Sequence, residues 1–298
     1  MRKPRFRIFV WPLICLLAAS LAAAQTGARQ TRVAVLDLGG TQTGLRATAQ
    51  LSGALASDKS LLVMDREESS AAARGIGYNG SLNMTLAEAR DLGAAIGCAL
   101  FITGDAQTLR RSPSGGPVFY EAYASIFIVS ARTGRLLGWE RPSFQAPSPE
   151  EAERALLAEL PLRAKRYAAL MRAFEEAEGR ERAAARESPA PLVEDAPEDE
   201  AAAARVGLRL PQPYRRLRPA YPETARSAEA EATVDVQVEL DEAGEVRRAE
   251  VVRWGGFGLD EEAVRTVRQL HFRPALRGGT PVPVRVLLRY NFRRPQKQ

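Results

Sequence analysis

Residues 233–240 read Thr-Val-Asp-Val-Gln-Val-Glu-Leu, and this run decides the fold of the last third of a 298-residue chain. Its apolar residues, Val234, Val236, Val238 and Leu240, occupy every second position, with polar residues between them. Because successive side chains of a β-strand point to opposite faces, this period of two places the apolar residues on one face. The run is therefore predicted to be a half-buried strand whose other face meets solvent.

The residues that follow predict an antiparallel sheet covered by one helix. Asp241-Glu242-Ala243-Gly244 supplies turn residues, and residues 246–254 form the returning strand of a hairpin. Asp260-Glu261-Glu262 begins a helix, because the helix dipole favours negative charge there, and residues 285–293 form the last strand. This order predicts a small α+β domain over residues 206–298. The helix carries an apolar stripe at helical spacing: Leu259, Ala263, Val264, Val267 and Leu270.

Several short marks stand in a fixed order between residues 212 and 294. They are Tyr221-Pro222, Asp241-Glu242-Ala243-Gly244, Ala263-Val264, Val267-Arg268, Phe272-Arg273-Pro274-Ala275, and Gly279 before Pro281-Val282. In this order they resemble the C-terminal domain of TonB, the periplasmic energy transducer of Gram-negative bacteria. The resemblance implies a domain that binds another protein rather than one that turns over a substrate.

The resemblance also implies where the partner binds. TonB C-terminal domains capture an extended peptide, the TonB box of an outer-membrane transporter, by adding it as a strand to an exposed sheet edge. Every second residue of that edge, beginning with Val286, is predicted to face the core. Two interpretations of Arg285, Arg289 and Arg293 stay open: they select peptides with acidic flanks, or they keep an exposed edge soluble. The residues carried over to the edge are Val284, Arg285, Val286, Leu287, Leu288, Arg289, Tyr290, Asn291 and Phe292.

The chain begins with a targeting segment. Four basic residues lie within the first seven positions, residues 8–24 are uncharged and mostly apolar, and Ala22-Ala23-Ala24 fits a cleavage site. Residues 1–24 are therefore predicted to be a secretory signal peptide. An uncleaved signal anchor is the alternative, because residues 8–24 approach the shortest length that spans a bilayer. Either segment exports the rest of the chain to the periplasm.

Strands and helices alternate over residues 30–160. Helices are predicted over residues 43–57 and 86–96, and strands over residues 32–38, 61–65, 99–104, 119–130 and 136–140, the last two joined at Thr133-Gly134. This pattern is typical of an α/β domain with a mixed sheet. It resembles the periplasmic domains of CsgG, FlgO and the TolB N-terminus, which implies contact with envelope proteins. The marks are Val33-Ala34-Val35-Leu36-Asp37, Met64-Asp65-Arg66-Glu67, Ile102-Thr103-Gly104 and Ala131-Arg132-Thr133-Gly134.

The sequence offers little for catalysis. His271 is the only histidine and Cys98 is the only cysteine after residue 24, too few for a His/Cys metal cage or a His-activated nucleophile. Asp37-Leu38-Gly39-Gly40-Thr41 resembles a phosphate loop of the actin and hexokinase superfamily, but no second phosphate loop follows it. Gly75-Ile76-Gly77-Tyr78-Asn79-Gly80 follows no predicted strand, so the context of a dinucleotide-binding loop is missing. We expect a glycine turn at the first place and a surface loop at the second, and a protein that is not an enzyme and holds no cofactor or metal.

Two segments connect the predicted domains. Residues 150–160 and 162–186 have helical composition, and Pro161 is expected to interrupt the helix, so that residues 161–187 form a separate helical segment. Residues 188–205 are acidic and contain three prolines, so they are predicted to be a disordered linker. Fully extended, this linker reaches only about 60 Å.

Two functions of different class fit these observations. The first is a TonB-like transducer, anchored by residues 1–24, that couples the ExbB–ExbD motor to an outer-membrane transporter. The second is a soluble periplasmic binding or assembly module that uses the same domain without force. A homodimer through the same edge is a further alternative. Because the net charge of +6 is spread along the chain, no nucleic-acid partner is expected.

Overall fold

The computed structural model describes residues 30–187 and 193–295. The prediction for residues 1–24 lies outside this part of the chain, as does the prediction for residues 188–192 of the linker. No helix among the described residues has the length and apolar character needed to cross a membrane.

The first domain is a mixed sheet between two pairs of helices. Its strands lie in the order β2-β1-β4-β5-β6, with β7 pairing on β5 beyond the end of β6. β1 is parallel to β2 and β4, whereas β4 and β5 form a long antiparallel hairpin. The elements are β1 (Thr31–Val35), α1 (Gln42–Ala56), β2 (Leu61–Val63), α2 (Arg66–Gly75), β3 (Met84–Thr85), α3 (Leu86–Ile96), β4 (Leu100–Arg111), β5 (Phe119–Ser130), β6 (Leu136–Glu140), β7 (Ser143–Ala146) and α4 (Pro149–Glu187).

Helix α4 corrects the prediction of a break at Pro161. The helix is continuous from Pro149 to Glu187, with Pro161 inside it. A proline in a helix interior costs about 3 kcal/mol, because it lacks the N–H and crowds the preceding turn. Here both sides of Pro161 are anchored in the first domain's core, Leu156 and Leu160 before it and Tyr167 after it. Burial of two or three such side chains outweighs that cost.

The second domain contains a five-stranded sheet, in which the long hairpin β11–β12 and the final strand β16 are the three longest strands. Its order is β3-β12-β11-β16-β8, and α7 packs on β11 and β12 through Leu259, Ala263 and Val267. The elements are β8 (Glu194–Asp195), α5 (Glu200–Arg205), β9 (Leu208–Arg209), β10 (Gln212–Pro213), α6 (Glu223–Ala228), β11 (Ala232–Leu240), β12 (Val246–Trp254), α7 (Leu259–Val267), β13 (Phe272–Arg273), β14 (Ala275–Arg277), β15 (Thr280–Val282) and β16 (Val284–Phe292).

The predicted disordered linker differs from the structure over residues 193–205. This part contains β8, which pairs with β16, and helix α5. Asp199 caps α5 by accepting a hydrogen bond from the Ala202 backbone N–H at 2.6 Å, and Ala203 is buried. The acidic composition does indicate a segment without its own core, but a short segment becomes ordered when another element offers it backbone partners and apolar surface.

The two domains share one hydrophobic core. Phe127 of β5 stacks on Trp254 at a centroid distance of 5.8 Å and meets the edge of Phe257 at 5.3 Å. Trp139 of β6 lies 5.5 Å from the same Phe257 ring. These rings cover the part of the first domain's sheet that α2 and α3 do not cover. The TonB-like region is therefore fixed to the first domain rather than held at the end of a tether.

Polar contacts fix the orientation of the two domains. Strand β3 of the first domain pairs antiparallel with the end of β12. The Asn83 side chain donates to the carbonyl oxygens of Thr233 and Trp254 at 2.8 and 2.7 Å, and it accepts from the Thr233 N–H. Arg135 forms an ion pair with Glu250 across the same boundary. One sheet edge of the second domain, that of β12, is thereby partly covered by the first domain.

Candidate strand-addition edge

The two sides of strand β16 differ in their pairing. Its inner side is paired with β11 along its full length, from Val284 opposite Leu240 to Phe292 opposite Ala232. Its outer side pairs with β8 only at Val284 and Arg285. No other described strand pairs with that side, so residues 286–292 form an open sheet edge within residues 30–187 and 193–295.

The pairing shows which backbone groups point outward. The Arg285 carbonyl oxygen accepts a hydrogen bond from the Ala196 N–H at 2.7 Å, so the backbone of Arg285 faces the outer side. In an antiparallel ladder both backbone groups of one residue point the same way, and this direction alternates along the strand. Leu287, Arg289 and Asn291 therefore present their N–H and C=O groups to the open edge.

Side chains of β16 follow the predicted alternation. Val284 and Phe292 are buried, and Val286, Leu288 and Tyr290 pack against the shared core. The alternate residues, Arg285, Leu287, Arg289 and Asn291, lie on the other face, where Leu287 remains 52% exposed. Burial raises the pKa of the half-buried Tyr290 phenol.

Each of the three predicted edge arginines is ion-paired within the chain. Arg289 holds both carboxylate oxygens of the buried Asp235, at 2.7 and 2.9 Å. Arg285 bonds Glu239 and Asp195, each at 3.1 Å, and Arg293 bonds Glu231 at 3.3 Å. Glu239 and Asp235 hold Arg285 and Arg289 over the neighbouring strand β11. A peptide therefore meets guanidinium groups that are already partly neutralised.

A groove of about 410 Å³ runs beside the middle of the edge. Its walls are mostly apolar and come from four parts of the second domain. The chain after β8, the segment around β10, strand β13 and strand β16 contribute Ala196, Pro197, Glu198, Leu210, Pro211, Pro213, Phe272, Val286, Leu287, Leu288 and Arg289. An extended chain paired with Leu287 and Arg289 would lie along this groove.

Sequence reasoning missed the residues that face the edge from outside β16. Ala196 and Pro197 lie in the predicted linker, and Leu210 and Pro211 belong to no predicted element. The available signal was charge: Glu194-Asp195 is an acidic pair, and the edge it joins is rich in arginine.

The other sequence candidates have structural roles. Asp37 forms an ion pair with Arg66 at 2.7 Å and accepts from Ser70, and Thr41 caps α1 by accepting from the Gly44 N–H. The glycine-rich run begins at Gly75, the last residue of α2, and continues as a mostly exposed surface loop, as expected. The glycine turn predicted at Asp37–Thr41 is likewise present, and its carboxylate is engaged within the chain.

The single histidine and the remaining cysteine lie in separate places. His271 is exposed beside Glu245, 3.0 Å from its carboxylate. Burial raises the pKa of the Cys98 thiol to about 11, so its sulfur is held as a thiol. No cluster of three or more metal-ligating side chains occurs in the described part of the chain.

Comparison with known families agrees with this geometry. Residues 218–293 match the family model of the Gram-negative bacterial TonB protein C-terminal. The matched segment begins before α6 and ends just after β16, so it contains the open edge. The C-terminal domain is of the TonB type, which indicates a protein of the bacterial cell envelope.

Solved structures show weaker similarity. The TonB C-terminal domain of Pseudomonas aeruginosa is 21% identical, with a TM-score of 0.26 over 30% of this chain and 90% of that one. Hypothetical protein CT253 of Chlamydia trachomatis is 11% identical, with a TM-score of 0.34 over 46% and 97%. E. coli LpoB is 15% identical, with a TM-score of 0.29 over 40% and 58%. No curated protein sequence matches the chain. The resemblance of the first domain to CsgG, FlgO and TolB stays a prediction.

Proposed function

We propose that this TonB-like protein captures an extended peptide of an outer-membrane transporter by adding it as a strand to the open side of β16. The observation that carries the proposal is the set of outward backbone groups on Leu287, Arg289 and Asn291, beside a strand that is otherwise fully paired. Unpaired strand groups are a template for one more strand. The groove beside them would receive side chains that alternate along the peptide.

The expected affinity is modest. Backbone hydrogen bonds contribute about 1 kcal/mol each net of water, so the six outward groups of three residues supply about 6 kcal/mol. Ordering a flexible peptide costs part of that gain. Side chains seated in the apolar groove next to Leu287 must therefore supply the rest and decide which peptide binds.

The fixed contact between the domains favours a second candidate, an assembly module without force transduction. A transducer that reaches across the periplasm needs free length between its anchor and its binding domain. Here Trp254 and Phe257 hold the TonB-type domain against Phe127 of the first domain. In this second function the first domain contacts one envelope protein and β16 binds another. Coupling to ExbB–ExbD belongs to the first candidate alone, and it requires residues 1–24 to remain as an anchor.

One pair of variants tests peptide capture. Leu287→Pro removes one outward N–H but none of the hydrogen bonds to β11, a position where an edge strand tolerates proline. Leu287→Ala keeps the N–H and controls for the side chain. In a calorimetric titration with peptides from transporter plugs, we expect Leu287→Pro to weaken binding at least fivefold, because one backbone hydrogen bond is lost, and Leu287→Ala at most threefold. Equal affinities for the two variants, or no binding by the unmodified protein, would contradict the proposal.

Retention of the leader separates the two candidates. The intact mass of protein isolated from envelopes shows whether the chain starts at Met1 or at Gln25. A start at Gln25 rules out coupling to an inner-membrane motor and leaves the assembly module. Retention of residues 1–24, together with membrane association after fractionation, supports the transducer.

A further inference from the structure

The strand-addition edge carries a short strand of the protein's own chain. Glu194 and Asp195 pair in parallel with Val284 and Arg285, and the Ala196 N–H donates to the Arg285 carbonyl oxygen. This pairing is the same backbone chemistry that the proposed function requires of an outside peptide. The acidic segment therefore lies on the first part of the edge where a partner would bind.

Charge complementarity accompanies the backbone pairing. The Glu194 carboxylate lies 2.7 Å from the Arg277 guanidinium, and the Asp195 carboxylate lies 3.1 Å from that of Arg285. All four side chains remain partly or largely exposed, so solvent screens each pair and the pair stabilises the contact only weakly. The charges of Glu194 and Asp195 thus match those of the edge, but the contacts are weak enough for residues 194–196 to dissociate from β16.

The internal strand is short. Among the described residues, no backbone bond between this segment and β16 is present beyond Ala196, and residues 197–198 line the groove next to Leu287 and Arg289. A partner that pairs along all of β16 cannot bind while the segment stays in place. It would have to take over the contacts of Glu194, Asp195 and Ala196 and move Pro197 out of the groove.

We infer that residues 194–198 are an internal competitor for the edge, and that the partner they imitate is an extended peptide, parallel to β16, with acidic residues opposite Arg277 and Arg285. This inference rests on the proposed function, because it concerns the same edge. A tethered competitor acts at an effective concentration in the millimolar range. Only a peptide with better side-chain contacts displaces it, so the segment raises the selectivity of the edge.

The test uses the full chain and two variants of one residue. Ala196→Pro removes the N–H that bonds Arg285, whereas Ala196→Gly keeps it. The probe is a synthetic peptide of residues 193–199, Val-Glu-Asp-Ala-Pro-Glu-Asp, added in trans and followed through the amide signals of Val284 and Arg285. We expect it to bind Ala196→Pro at least fivefold more tightly than Ala196→Gly, the change that loss of one backbone hydrogen bond produces.

A charge-reversed chain provides an independent measurement. The double variant Glu194→Lys and Asp195→Lys places positive charge next to Arg277 and Arg285, so the segment should leave the edge without any proline. The same acidic probe should then bind as it does to Ala196→Pro. Equal binding of the probe to all variants, or no perturbation of Val284 and Arg285, would overturn the inference.

Transporter peptides distinguish failure of the inference from failure of the proposed function. If such peptides bind Ala196→Pro and Ala196→Gly equally well, the segment is no competitor, but strand addition stands. If they bind neither variant while the acidic probe binds Ala196→Pro, the edge is regulated as inferred but serves a different acidic partner. Tighter binding of transporter peptides to Ala196→Pro supports both.

Discussion

The indole N–H of Trp254 donates to the carbonyl oxygen of Gly134 at 3.0 Å, across the boundary between the two domains. Trp254 ends the long hairpin of the TonB-type domain, and Gly134 lies in the turn between β5 and β6 of the first domain. The bond is buried, so its loss is not made good by water. Trp254 thus makes two kinds of contact with the first domain: its ring packs on Phe127, and its N–H forms a directional hydrogen bond.

We expect Trp254→Phe to lower the free energy of unfolding by about 1–3 kcal/mol, because it keeps an aromatic ring but leaves the Gly134 carbonyl without this donor. Trp139→Phe is the matched control, since Trp139 also packs on Phe257 but is only partly buried. Urea unfolding of both variants measures the difference. If Trp139→Phe costs as much as Trp254→Phe, the hydrogen bond does not stabilise the interface.

The loop after Trp254 should tolerate no side chain at Gly256. This glycine has a φ of +67°, and a Cβ there would overlap the Phe127 ring. Gly207 has the same φ of +67° with open space around it, so Gly207→Ala reports the backbone penalty alone, about 1–2 kcal/mol. We expect Gly256→Ala to destabilise the protein by a further 1–3 kcal/mol through overpacking. Equal losses in thermal unfolding would show that Phe127 does not pack against this loop.

The contribution of Asp260 to stability should fall as the pH rises from about 4 to 7. Burial of Asp260 raises the pKa of its carboxyl group to about 7, although the N–H groups of Gly255 and Gly256 bond it at 2.8 and 2.9 Å. The folded state then holds a proton that the unfolded state has released, so this group's stabilisation is full below pH 4 and lost above pH 7.

Asp260→Asn should flatten this dependence by on the order of 2 kcal/mol between pH 4 and 7. Glu261→Gln is the control, because it removes the neighbouring exposed charge and leaves Asp260 in place. Denaturant unfolding at pH 4, 5.5 and 7 measures the slope. A slope that survives in Asp260→Asn would assign the pH dependence to another group.

Proline substitutions at two adjacent positions of β16 should have different effects on stability, because the two N–H groups point to opposite sides of the strand. The N–H of Leu288 points toward β11, so Leu288→Pro removes a ladder hydrogen bond and should cost about 3 kcal/mol or more. Leu287→Pro removes only an outward N–H and should cost less than about 1 kcal/mol. Thermal unfolding of the two variants tests which N–H faces β11. If Leu287→Pro lowered the melting temperature more than Leu288→Pro, the N–H of Leu287 would be the one bonded to β11.

Local patterns predict several elements in both domains. The alternation from Val234 to Leu240 places β11 and its buried face, and the acidic start at Asp260 places α7. Strand β12 and helix α3 begin and end where the sequence predicts, because a turn or a cap marks each boundary. Such signals act within a few residues, so they can be read from the chain alone.

Contacts between distant segments could not be predicted in the same way. Trp254 and Phe127 each fit the apolar pattern of their own strand, and nothing in either pattern shows that the two rings stack. Strand β8 forms because β16 offers backbone partners to an acidic segment that has no apolar pattern of its own. The sequence did not show that β8 pairs with part of β16, and partner binding at this edge stays a prediction.

Amide hydrogen exchange along β16 tests the central claim most directly. In the free protein, the N–H groups of Leu287, Arg289 and Asn291 should exchange rapidly, whereas those of Val286, Leu288 and Tyr290 should be protected by β11. Binding of a transporter plug peptide should then slow the first three at least tenfold and leave the second three unchanged. Uniform protection of all six in the free protein, or a bound peptide that leaves Leu287, Arg289 and Asn291 exchanging rapidly, would contradict strand addition at this edge.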